Sequence, residues 1–254
     1  MSPNTIYFNN RCSNNTLTVF ETEIVKIFQM FLNGIIINNM FLKHYNTYSL
    51  SDKMRVFMLK LLLENVYISS NVDNDEMTGH LTKQHMFFPV RNFDYNLVDY
   101  LRNKRCYNND ELLRSCYRYM KHKLGEKKPY KKVFINERKR HTVCDAEIKK
   151  PLEEFMKYEC VYVEDLNNVS NLVDLFREAT IVVSGNENIL ENLLFSTNEC
   201  LICELKMKNH KKSRNEEMCE ILGKQYMRYD IDDYGVNGEY LVLHKRLLKY
   251  IGEQ

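Results

Sequence analysis

The sequence has no tryptophan, four prolines and eight glycines in 254 residues, and it carries no low-complexity segment or internal repeat. No apolar run approaches the roughly 20 residues that a membrane-spanning helix needs, so no membrane span is expected. The opening stretch "MSPNTIYFNNRCSNN" lacks the basic and apolar regions of a secretory signal. Charge of one sign is missing too. Thirty-six Lys and Arg stand against 34 Asp and Glu, a net charge of +2, so any attraction to nucleic acid or anionic lipid has to be local. Patterns of the GxSxG, P-loop and HExxH kind are absent. The commonest serine-hydrolase, nucleotide-hydrolase and zinc-protease readings go with them.

What is present describes a folded α/β chain. Hydrophobic residues make up 44% and charged residues 28%, ordinary for a globular protein with ample length to bury a core. Eight cysteines (12, 106, 116, 144, 160, 200, 203, 219) are scattered, several inside apolar runs. That pattern points to reduced, buried thiols and a cytoplasmic location. Abundant Asn, Lys, Ile and Tyr indicate an AT-rich coding sequence, as in a large DNA virus or an intracellular parasite.

Periodicity divides the chain in two. In the first half, "VFETEIVKIFQMFL" and "KMRVFMLKLLLEN" have helical spacing, while "NGIIINN", "NVYISS" and "HMFFPV" read as short strands. "NNDELLRSCYRYMKHKLG" reads as a helix with acids at its start, bases at its end and Gly125 as its stop. The charged, proline-containing "EKKPYKK" marks a boundary, giving domains at 1–128 and 129–254. Beyond it, strands begin near 132, 160, 180 and 200, each followed by a helix, which predicts a parallel sheet. "SRNEEMCEILGKQYM" reads as a further helix, "EYLVLH" as a last strand, and an amphipathic helix ends the chain.

In such a sheet, ligands sit at the carboxyl ends of the strands, which selects the turns 136–141, 164–168 and 184–188. Helix N-termini suit phosphate, and Arg138 and Arg140 in "NERKRH" could neutralise one. Equally, a basic loop can be a solvated surface. The second half also resembles glycosyltransferase family 61, inverting enzymes that include protein O-linked GlcNAc and plant xylan transferases. The resemblance runs over 131–205, through "KKVFINERKR", "CDAEI", "LFREATIVVSGNENILENLLF" and "LICEL". It is densest at Phe176, Ala179, Asn192, Leu193, Leu194, Phe195, Glu204 and Leu205.

The resemblance implies a GT-B-like architecture: two Rossmann-like domains, a nucleotide-sugar donor held mainly by the second, and a final helix crossing back to the first. No cofactor or metal is implied. By position, the nucleotide- or phosphate-binding residues are Arg138, Arg140, Ser184, Gly185, Asn186 and Asn188. The turn departs from the family, however. Where the family has His-Gly-Ala, this chain has Asn186, Glu187 and Asn188. Two like charges about 4 Å apart repel by about 1 kcal/mol in water and several times that near a protein surface, so Glu187 opposes a diphosphate. The family's arginine falls at Glu137, unless a one-residue slip brings in Arg138. The donor site therefore reads as degenerate. The chain is either a divergent sugar transferase or a pseudoenzyme-like scaffold that binds a protein partner.

Other clusters carry less. Cys200 and Cys203 have CxxC spacing, but residues three apart on a strand face opposite ways, so buried structural thiols are favoured over a metal or redox site. The lysine-rich 206–217 loop lacks the interleaved aromatics of a nucleic-acid platform, and nucleic acid is not an expected partner. His80, His85 and Asp75 are the candidates for an acid/base pair on the acceptor side; a plain acidic surface loop is the competing reading.

Overall fold

The structure, a computed structural model, describes residues 5–8, 15–32, 39–43, 49–63, 65–69, 87–88, 109–138, 145–207, 211–231 and 249–252. The chain divides into two compact units, Met1–Gly125 and Glu126–Gln254. Among the described residues, no helix is long and apolar enough to cross a membrane.

The first unit holds a four-stranded parallel sheet of β1 (Thr5–Phe8), β2 (Asn39–Lys43), β3 (Asn65–Ser69) and β4 (Phe87–Phe88), in the order β3-β2-β1-β4. Strand β1 was not read from the sequence, although Thr-Ile-Tyr-Phe is a β-branched and aromatic run. Strand β2 starts where the "NGIIINN" run ends. Helices α1 (Thr16–Val19) and α2 (Val25–Leu32) are joined by a π-helical turn, Phe20–Ile24, and are followed by α3 (Leu50–Leu62) and α4 (Asn109–Leu124). Side chains of Asn15 and Ser49 cap α1 and α3, accepting from Thr18 and Asp52 N–H groups. Glu23, on the π-helical turn, accepts a 2.6 Å hydrogen bond from Arg55 Nε of α3, and both residues are buried. Gly125 ends α4 at φ 73°, the left-handed conformation a terminating glycine supplies.

The second unit is built on five parallel strands: β5 (Lys131–Asn136), β6 (Tyr158–Tyr162), β7 (Ala179–Ser184), β8 (Leu201–Met207) and β9 (Gln225–Ile231). Their order is β6-β5-β7-β8-β9, or second, first, third, fourth, fifth along the chain. This order is compatible with a Rossmann-like, doubly wound fold, and it reverses between β5 and β7. The connecting helices are α5 (Asp145–Glu154), α6 (Val169–Glu178), α7 (Glu187–Leu190) and α8 (Arg214–Leu222). A 3-10 turn at Val163–Asp165 follows β6, and a 3-10 segment at Glu191–Phe195 follows α7.

Alternation along the strands gives the sheet two apolar faces. On one, Phe134, Ile181, Val183, Cys203 and Leu205 pack with Leu152 of α5, Tyr158 and Ile251. On the other, Val133, Ile135, Val182 and Ile202 are buried. The 3-10 segment is in contact with both α6 and α8, and the three bury Phe176, Leu193, Leu194, Phe195, Met218 and Cys219. At roughly 25 cal/mol for each Å² of apolar surface removed from water, such side chains stabilise the unit by about 1.5–3 kcal/mol each.

Two details differ from the sequence reading. The helix expected through "GKQYM" stops at Leu222, because Gly223 takes the left-handed cap at φ 69°, and Gln225, Tyr226 and Met227 belong to the fifth strand. The run "EYLVLH" lies outside the described residues. Pro151 is accommodated inside α5, whose end is closed by Phe155 and Met156 N–H groups donating to the Pro151 carbonyl. Where the family resemblance implied a final helix returning to the first domain, residues 249–252 seat on the second unit's own sheet. Tyr250 OH donates to the Arg228 carbonyl at 3.0 Å, and Tyr158 OH to that of Ile251 at 3.3 Å.

The amino ends of the strands are tied by ion pairs. Lys127 and Lys131 both pair with Glu178, Lys127 also with Asp174, and Lys131 also with Glu159. The hydrogen bond from Lys127, reinforced by Lys131, holds the Glu178 carboxyl below its ordinary range. A depressed carboxylate contributes stability above its unfolded pKa and loses it as pH falls through the folded one. The melting temperature of the native chain should therefore exceed that of Glu178→Gln at neutral pH. The gap should close on acidification below about pH 4, the ordinary carboxylate range. A gap unchanged across that window in a pH series of melts would remove Glu178 from the ion-pair account.

Candidate functional site

The crevice at the carboxyl ends of β5 and β7 lies at the reversal of strand order, where doubly wound sheets place their ligands. Ile135 and Ser184 are register partners across β5 and β7, so the residues following both strands reach one rim. Ser184 Oγ donates to the Ile135 carbonyl at 2.8 Å and accepts from Asn186 N–H at 3.1 Å. Its hydroxyl is thus committed to the sheet and the turn.

Asn186 is committed on both sides. Its Oδ1 accepts from Ile189 N–H at 2.9 Å and caps the short α7, the bond an anion would otherwise make. Its Nδ2 donates to Glu137 Oε1, tying the β7 turn to the β5 loop. Glu187 is 58% exposed and forms an ion pair with Lys206 at the end of β8, while its backbone carbonyl accepts from Asn215 Nδ2 at 3.1 Å. Gly185 and Asn188 complete the turn, half-buried and exposed.

Arg138 is engaged within the chain as well. Its guanidinium makes a two-pronged contact with Asp165, Nη1 to Oδ1 at 2.8 Å and Nη2 to Oδ2 at 2.6 Å, and lies 4.5 Å from the centre of the Tyr162 ring. Its backbone N–H donates to both carboxylate oxygens of Glu164, at 3.0 and 3.2 Å. The Asp165 hydrogen bond raises the Arg138 pKa above its already high ordinary value. Arg140 lies outside the described residues, as do His80, His85 and Asp75.

Behind the rim, Glu204 of β8 is 0% exposed. Its Oε2 accepts from Ser213 Oγ at 2.5 Å and from Tyr226 OH at 2.7 Å. Its Oε1 has no hydrogen-bond partner among the described residues and lies 3.8 Å from Lys206 Nζ. Ser213 also caps α8, accepting from Glu216 N–H at 3.1 Å, so one carboxylate fastens β8, β9 and the start of α8. Burial, assisted by the Glu204 hydrogen bond, pushes the Tyr226 hydroxyl above its ordinary range.

Sequence reasoning placed Arg138, Ser184, Gly185, Asn186 and Asn188 at strand ends, and the structure gathers the described turns on one rim. It missed Asp165 as the partner of Arg138, Lys206 as the partner of Glu187, and the Glu204–Ser213–Tyr226 cluster. One signal was available: a carboxylate inside the apolar run "CLICELK" must find partners or stay costly to bury. Burial pushes the thiols of Cys203 and Cys219 up to about 12. They stay protonated near neutral pH, unlike metal-binding or nucleophilic thiols. Among the described residues, no group of three or more His, Cys, Asp or Glu is arranged to hold a metal ion.

No protein-family model matches the chain, and no curated protein matches it in sequence.

Proposed function

We infer that the chain is a divergent, glycosyltransferase-like protein of GT-B architecture whose donor rim is satisfied from within. Its role is then to present that scaffold to a protein partner rather than to transfer a sugar. The observation that carries this reading is that Ser184, Asn186, Arg138 and Lys206 are each engaged from within the chain. Asn186 caps α7 with its own side chain, Asp165 holds Arg138, and Glu187 holds Lys206. A diphosphate entering here would displace two carboxylates and meet further ones at Glu137 and Glu164. Support for the transferase kinship comes from the parallel sheet, its strand order, and the burial of the resembling residues Phe176, Ala179, Leu193, Leu194 and Phe195.

The test is thermal stability in the presence of UDP-, GDP- and CMP-sugars. A ligand specific for the native state at 100 times its Kd adds about 2.7 kcal/mol, which moves a melting temperature by several degrees. The expected result is no shift at millimolar concentration with any of the three. A saturable shift that disappears in Arg138→Ala would instead establish a working donor site.

A further inference from the structure

The turn after β6 holds Arg138 at two separate points: Glu164 takes its backbone N–H, and Asp165 takes its guanidinium. These acids are adjacent in sequence, on the 3-10 turn Val163–Asp165, and they come from a different strand end than the arginine. The arginine follows β5, one of the two strands at the reversal, and its side chain, held over the end of β6, remains 52% exposed. A second cation is close, since Lys149 Nζ of α5 lies 5.5 Å from the same Tyr162 ring that Arg138 covers at 4.5 Å. Lys149 is itself only loosely engaged, 3.8 Å from Glu153. Two cations thus lie against one aromatic ring beside the carboxyl end of β6, the strand next to β5. The acidic turn engages the nearer of the two.

We propose that the Glu164–Asp165 turn is an autoinhibitory clamp, which withholds Arg138 from a diphosphate-bearing ligand by engaging it intramolecularly. This rests on the reading of the rim as filled from within, and it adds a reason why the filling is reversible. An exposed ion pair is weak and is screened by salt, so the clamp lowers anion affinity by up to about fivefold rather than abolishing it. Whatever moves the turn, or neutralises Asp165, releases a two-pronged anion donor already oriented by the Tyr162 ring.

The experiment titrates inorganic pyrophosphate, at low ionic strength, into the native chain, Asp165→Ala, Asp165→Asn, and Asp165→Ala combined with Arg138→Gln. Binding is followed by calorimetry, with a thermal melt of each protein as a check on folding. Asp165→Ala should bind pyrophosphate about threefold to fivefold more tightly than the native chain, and Asp165→Asn should gain in the same direction. The double variant should lose the gain. Equal affinity in the native chain and in a normally melting Asp165→Ala overturns the clamp, as does a gain that survives removal of Arg138. If Asp165→Ala melts abnormally, the isosteric Asp165→Asn decides by the same comparison. Nucleotide-sugar binding by the native chain is read separately: its presence defeats the rim reading, whereas failure of the clamp leaves that reading standing.

Discussion

Glu204→Ala should lower the unfolding free energy by about 3 kcal/mol, while Glu204→Gln should cost about 1 kcal/mol. The alanine variant removes the acceptor of a buried hydroxyl, Ser213 Oγ, and a half-buried one, Tyr226 OH, and leaves both without the carboxylate that receives them. Hydrogen bonds to a charged group are worth about 1.5–3 kcal/mol each, and orphaned buried donors add their desolvation. Glutamine keeps an oxygen where those donors point. Its amide nitrogen replaces Oε1, the atom that lacks a hydrogen-bond partner among the described residues, so little is lost there. The residual cost is electrostatic, because Lys206 lies 3.8 Å from that oxygen and would keep Glu187 as its nearby counter-ion. Urea midpoints at neutral pH measure both. Equal losses in the two variants would mean that the hydroxyl pair does not depend on Glu204.

The contrast between Glu204 and Glu187 shows how far the sequence could be read. The strand-helix alternation after residue 130 was legible because β-branched runs, helical apolar faces and turn residues there agree with one another. The residues that carry the family resemblance, from Phe176 and Ala179 to Leu193, Leu194, Phe195 and Leu205, are all buried. Their pattern therefore speaks of packing, and a packing pattern locates a fold without assigning its chemistry. The limit of periodicity appears at Gly223. A helical apolar pattern continued past it to Met227, yet a single glycine in the left-handed cap ended the helix and released Gln225–Ile231 to a fifth strand.

The rim was legible only by position. Placing Arg138 at a strand end follows from the fold, but its pairing with Asp165, 27 residues on, depends on β6 lying beside β5, and strand order is not written in local sequence. The same holds for Glu187 and Lys206, which meet because β7 and β8 are neighbours. Four charges that lie apart in the sequence thus neutralise one another in two pairs once the sheet is assembled. Charge pattern along a chain is a poor guide to the potential at a sheet edge, since partners arrive from different strands.

Ile251→Ala should destabilise the second unit by about 2–4 kcal/mol, whereas Phe155→Ala should change stability by no more than about 0.5 kcal/mol. By residue type alone the order would be reversed, because phenylalanine has the larger apolar surface to lose. Burial decides it. Phe155 is 78% exposed, while Ile251 is buried in the face formed by Phe134, Leu152, Tyr158, Val183 and Cys203. Deleting its side chain removes apolar contact and leaves a cavity that flanking strands, fixed by ladder hydrogen bonds, close only in part. The neighbouring anchors Tyr250 and the Tyr158–Ile251 carbonyl bond hold the segment in place, so the cavity persists rather than being relieved by peeling. Denaturant midpoints for the two variants, read with a probe in the second unit, test the pair. A neutral Ile251→Ala would overturn the packing of residues 249–252 on the sheet.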